Sequence, residues 1–165
     1  EGIPMGTRSG NIDPAIIEYM MEKKGKSAKE ITNILNKQSG YIGVSGISSD
    51  SRDLVRESKA GNHRAKLAIE IQAKRIADYI ASYYVYMGGA DAIVFTAGIG
   101  ENAPSTRQNI IERIRVLGAE IDLKKNEVHG KEQLISTPES KIKVYVIPTN
   151  EEVMIARDTY QLCHL

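Results

Sequence analysis

Four short stretches of the chain carry residue types that do chemistry. The richest runs from Asp91 to Asn102, where the apolar Ala92-Ile93-Val94-Phe95 leads into Thr96-Ala97-Gly98-Ile99-Gly100-Glu101-Asn102. Glycine at Gly98 and Gly100 lets backbone approach a ligand closely, and the start of a following helix offers unpaired N–H groups to a phosphate. The same glycines also fit a plain strand-to-helix turn that needs them for its dihedral angles. Neither familiar nucleotide signature is met. G-x-G-x-x-G finds Ala103 where its last glycine belongs, and the acidic residue due about 20 positions on falls at Glu120, after a glycine. Gly25-Lys26-Ser27 ends like a P-loop, but Met20 replaces the first glycine and the flanks read as helices.

The second stretch, Gly46 to Asp53, mixes small polar residues with opposite charges and suits the hydroxyls and amines of a polar ligand. It reads equally well as a helix start, with Asp50 as cap and Arg52 and Asp53 as a local surface arrangement. In the third, Met5 to Gly10, Arg8 stands between glycines. Its planar fork donates two parallel hydrogen bonds to a phosphate or carboxylate, although loop arginines are mostly solvated. In the fourth, Thr149-Asn150-Glu151-Glu152, Thr149 and Glu152 form a capping box and both carboxylates gain from the helix dipole. On spacing alone, a metal role for Glu151 is the minority reading. His63, His129 and His164 have neither ligand nor dyad spacing.

The elements that must position these stretches follow from caps, breakers and apolar periodicity. Asp13-Pro14 opens a helix carrying the stripe Ile16, Ile17, Met20 and Met21, which Gly25 stops. Ser27 and Glu30 form a capping box for a second helix with Ile31, Ile34 and Leu35, ending at Gly40. Tyr41 to Ser49 reads as a loop, and a short helix follows from about Ser51 to Lys59. Asn62 to Met87 is one long helix with Ala65, Ala68, Ile69, Ile76, Ile80 and Tyr83 on one face. Ala92 to Phe95 has the continuous apolar pattern of a strand covered on both faces. Ser105 to Leu117 is an amphipathic helix closed by Gly118. Glu120 to Leu123 is a short strand, and Asp122 to Glu132 an exposed polar loop. Lys141 to Ile147 is a half-buried strand with Ile142, Val144 and Val146 inward, and a last helix reaches about Leu162. The pattern is an α/β domain or part of one, a single domain over residues 1–165.

The 165-residue chain is long enough for a real core, and its 26% charged and 41% hydrophobic residues are globular values. A net charge of +1 gives no electrostatic footprint for nucleic acid or an acidic membrane. No apolar run approaches the ~20 residues of a membrane helix. Cys163, the single cysteine, cannot form an internal disulfide, which fits a reducing, cytoplasmic setting. The start Glu1-Gly2-Ile3-Pro4 lacks an initiator Met and shows no signal-peptide pattern, which leaves a processed protein and a fragment of a longer one both open.

Taken in order, Met5-Gly6-Thr7-Arg8-Ser9-Gly10 with Asp13-Pro14, Gly46 to Leu54, Phe95 to Asn102, and Pro148 to Glu152 resemble the acetate kinase family over nearly the whole chain. The resemblance covers the carboxy-terminal part of that two-domain enzyme. It implies a ribonuclease-H-like β-sheet with flanking helices, as in the superfamily of sugar kinases, heat-shock chaperones and actin. The implied activity is reversible phosphorylation of acetate by ATP, giving ADP and acetyl phosphate, with Mg²⁺; a homodimer and a cytoplasmic location are also implied. Asp50, Ser51 and Arg52 match the segment that contacts adenosine. Gly98, Ile99, Gly100, Glu101 and Asn102 match the glycine-rich segment of the nucleotide site. Arg8 matches an arginine that stabilises the transferring phosphoryl group, and Glu151 matches a magnesium ligand. The family's active-site aspartate and histidine, its substrate pocket and its first phosphate-binding loop would lie upstream of Glu1. Asn11 departs from an acidic residue usual in the first motif. Propionate or butyrate as acceptor, a fragment that binds nucleotide without turnover, and a regulatory domain keeping only the fold stay open.

Overall fold

The structure, a computed structural model, describes residues 2–164, which fall into two compact units, Glu1–Gly89 and Ala90–Leu165. The first unit is helical: α1 (Ala15–Lys24), α2 (Ala28–Lys37), α3 (Gly40–Ser45), α4 (Ser51–Lys59) and α5 (His63–Tyr86). Local chemistry sets three of the starts. Ser27 and Glu30 make the expected capping box, Asp50 accepts the Arg52 N–H, and Asn62 accepts those of Arg64 and Ala65. The core joins Tyr41, Leu54, Ala65 and Ala68, with Val44 and Ile69 packed around it, where α3 and α4 meet α5. Alanines on that face of α5 let the neighbouring helices come close.

Four expectations for this unit need correction. Residues 40–45 are helical rather than loop, because Tyr41 is buried and its hydroxyl donates to Gln72 Oε1, while Gln72 Nε2 donates to the Pro4 carbonyl at 2.8 Å. Tertiary burial there overrides a Gly- and Ser-rich composition. The second helix ends at Lys37, and Gly40 opens α3 instead of closing α2. The apolar stripe of α1 buries no residue, and Tyr83 on α5 is 58% exposed.

The second unit comprises β1 (Ala92–Phe95), α6 (Ala97–Asn102), α7 (Pro104–Arg113), 3-10 turns at Arg115–Leu117 and Lys125–Glu127, β2 (Gln133–Leu134), β3 (Lys143–Val146) and α8 (Glu151–Cys163). Its sheet has the order β1-β3-β2, with β3 parallel to β1 and antiparallel to β2. Ile142, Val144 and Val146 point inward as expected, and Ile110, Ile111, Ile114, Ala119 and Ile135 are buried with them. Among the described residues β1 is not covered on both faces: it lies at the edge of the sheet and Val94 stays 48% exposed. Glu120 to Leu123 makes only an isolated bridge, Ile121 to Ser136, and the polar loop beyond it buries Asn126. The fold is α/β, a small mixed sheet with flanking helices. No described helix is long and apolar enough to cross a membrane.

Candidate functional site

In the first unit the Arg8 loop is fixed from both sides by backbone bonds. Met5 N–H donates to the Arg8 carbonyl at 3.0 Å, Ser9 N–H to Leu35, and Ser39, Tyr41 and Ile42 donate to the carbonyls of Thr7, Met5 and Gly6. The Arg8 side chain is exposed. Two glycines permit this seating. A Cβ on Gly6 would lie 2.7 Å from the Ser49 oxygen, and one on Gly40 (φ +60°) would meet the Met5 oxygen and come within 2.6 Å of the Arg8 oxygen. Gly6 thus lays the Arg8 loop against Ser49, one residue before the Asp50 cap. Sequence reasoning assigns Gly40 a helix stop, whereas the structure makes it the floor of the Arg8 loop.

At the α4 start, Arg52 Nε and Nη2 grip the Asp50 carboxylate, the shortest contact being 2.6 Å. These hydrogen bonds, with that of the Arg52 N–H, bring the Asp50 carboxyl down to about 2, and the same pairing raises the Arg52 guanidinium. The pair is therefore Arg52 with Asp50, not Asp53; Asp53 takes Arg56 and the Ser48 hydroxyl. Asp50 fixes the guanidinium plane while the Arg52 side chain remains 88% exposed to solvent. Ser51 is the first residue of α4.

In the second unit, residues Gly98 to Asn102 form the short helix α6 directly beyond β1, not an irregular turn. The dihedral explanation of its glycines fails. Neither Gly98 nor Gly100 has positive φ, and the left-handed residue is Ala97, at φ 57°. Gly100 sits against the Phe95 backbone, but a Cβ on Gly98 would meet no protein atom within 4 Å. Gly98 faces an open cleft of about 460 Å³ whose walls also include Glu101, Thr149, Asn150, Glu151 and Glu152. The cleft lies at the carboxyl ends of the two parallel strands, where open α/β sheets take their ligands.

Arg107, Thr149 and Asn150, to which the sequence assigns no site role, hold this cleft. Arg107 is fully buried and donates to the Gly100 carbonyl (2.8 Å), to Asn126 through its side chain and carbonyl, and to the Val128 carbonyl. Desolvation lowers its pKa, and Glu127 opposes that. Thr149 does not cap α8: Asn150 does, accepting the Val153 N–H at 3.1 Å, while the Thr149 N–H and hydroxyl donate to Glu101 Oε1. The Thr149–Glu152 capping box is thereby replaced. Arg107 reads from sequence as a polar position on an amphipathic helix; only its partners, 19 and 21 residues away, reveal its role.

Among the described residues no three of His, Cys, Asp and Glu are grouped to hold a metal ion by themselves. The cleft carries the carboxylates of Glu101, Glu151 and Glu152, with Glu101 engaged by Thr149; such a lining suits Mg²⁺, which usually takes one or two protein carboxylates and completes its shell with water and phosphate oxygens.

An α/β unit with its cleft at the ends of parallel strands defines a broad class of ligand-binding domains. Within it, the chain belongs to the Acetokinase family, whose profile matches residues 1–157. It is 58% identical over 162 residues to an acetate kinase of Acholeplasma laidlawii, covering 98% of this chain and 41% of that protein. The crystal structure of Porphyromonas gingivalis acetate kinase matches with a TM-score of 0.92 at 46% identity, over 99% of this chain and 41% of that one. A propionate kinase from Francisella tularensis matches at TM-score 0.88 and 48% identity, over 94% and 40%. The chain spans about two fifths of the length of the curated relatives it matches.

Proposed function

We propose that the chain is the carboxy-terminal, nucleotide-binding part of an acetate kinase, which transfers the γ-phosphoryl group of ATP to acetate. An acetate oxygen bonds to the γ-phosphorus, the bond from that phosphorus to the β–γ bridging oxygen breaks, and its electron pair leaves on ADP. Asp50, Ser51 and Arg52 take the adenosine end, Gly98 to Asn102 the phosphates, and Arg8 the charge on the group in flight. Such chemistry is driven mainly by positioning and electrostatic stabilisation. Glu151 would hold Mg²⁺, which when bound neutralises charge on the polyphosphate. A cytoplasmic homodimer completes the reading.

One observation carries it: Gly98 is required neither by its backbone conformation nor by packing within the chain, yet it opens onto the cleft that presents Glu151. Absence of a side chain there suits a ligand that needs the backbone. Gly98→Val in the complete protein should shift stability by no more than about 1 kcal/mol, since the position is open and helical. The Tm increase produced by Mg²⁺-ATP in the parent should shrink sharply, together with acetyl phosphate formation in a hydroxamate assay. An unchanged ATP-induced Tm shift would reduce the turn to a structural feature. Propionate as acceptor is favoured by the Francisella likeness, whose identity to this chain is as high as that of the Porphyromonas enzyme; kcat/KM for the two acids in the complete protein separates them.

A further inference from the structure

We propose that Glu101 is a positioning residue, a strut that sets Glu151 at a fixed distance from the Gly98 backbone. The proposal rests on the Mg²⁺-nucleotide reading above and gives Glu101 a role different from the nucleotide contact implied for it by resemblance. Glu101 Oε1 accepts the Thr149 N–H at 2.9 Å and the Thr149 hydroxyl at 3.3 Å, joining positions 48 residues apart. Hydrogen bonds to an ionised acceptor are roughly twice as strong as neutral ones.

Both ends of the strut are anchored. At its root, the Glu101 carbonyl accepts the Gly130 N–H, and the neighbouring Gly100 carbonyl is held by buried Arg107. At its far end, Thr149 is followed by Asn150, whose side chain caps α8 and so fixes the first turn on which Glu151 sits. Within this chain α8 buries none of its residues, so packing inside it contributes little to where that turn lies. The strut supplies the constraint that packing does not. The position of Glu151 then matters for a demanding ion, because Mg²⁺ tolerates little departure from octahedral geometry. Holding Glu101 on two donors also keeps a free carboxylate from confronting polyphosphate.

The test separates strut from ligand through the acceptor atom. Glu101→Gln keeps a carbonyl oxygen at the same place; Glu101→Ala removes it; Thr149→Val removes only the hydroxyl. In the complete protein, E101A should raise the Mg²⁺ concentration for half-maximal activity by about 10- to 100-fold. E101Q should recover most of this loss, and T149V should be intermediate and add nothing to E101A. Without metal or nucleotide, hydrogen exchange at the Thr149 amide should quicken about ten-fold in E101A and little in E101Q. If E101A folds poorly, E101Q and T149V carry the comparison.

An E101Q protein as defective in Mg²⁺ dependence as E101A would overturn the strut, because the charge itself would then be in use. Parent-like Mg²⁺ dependence and amide exchange in E101A would overturn it equally. A complete protein that Mg²⁺ and ATP together fail to stabilise overturns the nucleotide reading, and the proposal with it. A responsive protein with the E101Q defect overturns the strut alone.

Discussion

Arg8 combines a fixed backbone with an exposed side chain. If it meets the phosphoryl group chiefly in the transition state, Arg8→Ala in the complete protein should lower turnover on the order of 10²- to 10³-fold while ATP binding weakens far less. Arg8→Lys should restore only part, since an ammonium keeps charge but loses the two-pronged geometry. Steady-state kinetics with a separate ATP-binding measurement decide it, and near-parent turnover in both variants would remove Arg8 from the chemistry. At Asp50 the helix cap and the arginine grip are one feature, because the same carboxylate serves the α4 N–H and the Arg52 fork. From sequence, Asp50 is legible as a cap because capping is local. The choice by Arg52 of Asp50 over Asp53 is settled by side-chain geometry at the helix start.

Among the elements, α4 and α5 are legible because Asp50 and Asn62 cap them and their apolar spacing is internal to each. α3 is hidden because its helix depends on Tyr41 reaching Gln72, 31 residues away. β2 is too short to show a period, and the burial of Asn126 depends on Arg107. At Thr149 a local capping signal is present, but a distant carboxylate takes the residue. The candidate residues are suggested by type and order, whereas the contacts that hold their segments, Gly40 under Arg8 and Glu101 on Thr149, have no local signature. The Gly40 contact is testable with an internal control. Gly40 and Gly25 both have φ near +60°, but only Gly40 faces backbone atoms, those of Met5 and Arg8. Gly25→Ala should cost about 1 kcal/mol from its conformation alone. Gly40→Ala should cost more in urea denaturation, and it alone should depress turnover as Arg8→Ala does. Equal effects of the two would show that the Arg8 loop tolerates displacement.

For the whole molecule, the proposed groups are divided: Arg8 and Asp50 to Arg52 in one unit, Gly98 to Asn102 and Glu151 in the other. The chain also spans only two fifths of its relatives' length. The 165-residue chain alone should therefore bind adenine nucleotide weakly, seen as a small Tm increase, yet give background hydroxamate; robust turnover by it would refute the fragment reading. The parallel pairing of β1 with β3 has a further consequence, for the order of events during synthesis. Ala92 lies opposite Lys143, so β1 gains this partner only after the chain between them has been made. In the first unit the main helix contacts join α3, α4 and α5, near neighbours along the chain, and their loops close at little entropic cost. That unit should fold while the ribosome is still translating the second. The cleft, whose last wall begins at Thr149, is assembled at the end, so a nascent chain stalled before β3 would carry the Arg8 loop already formed and no cleft.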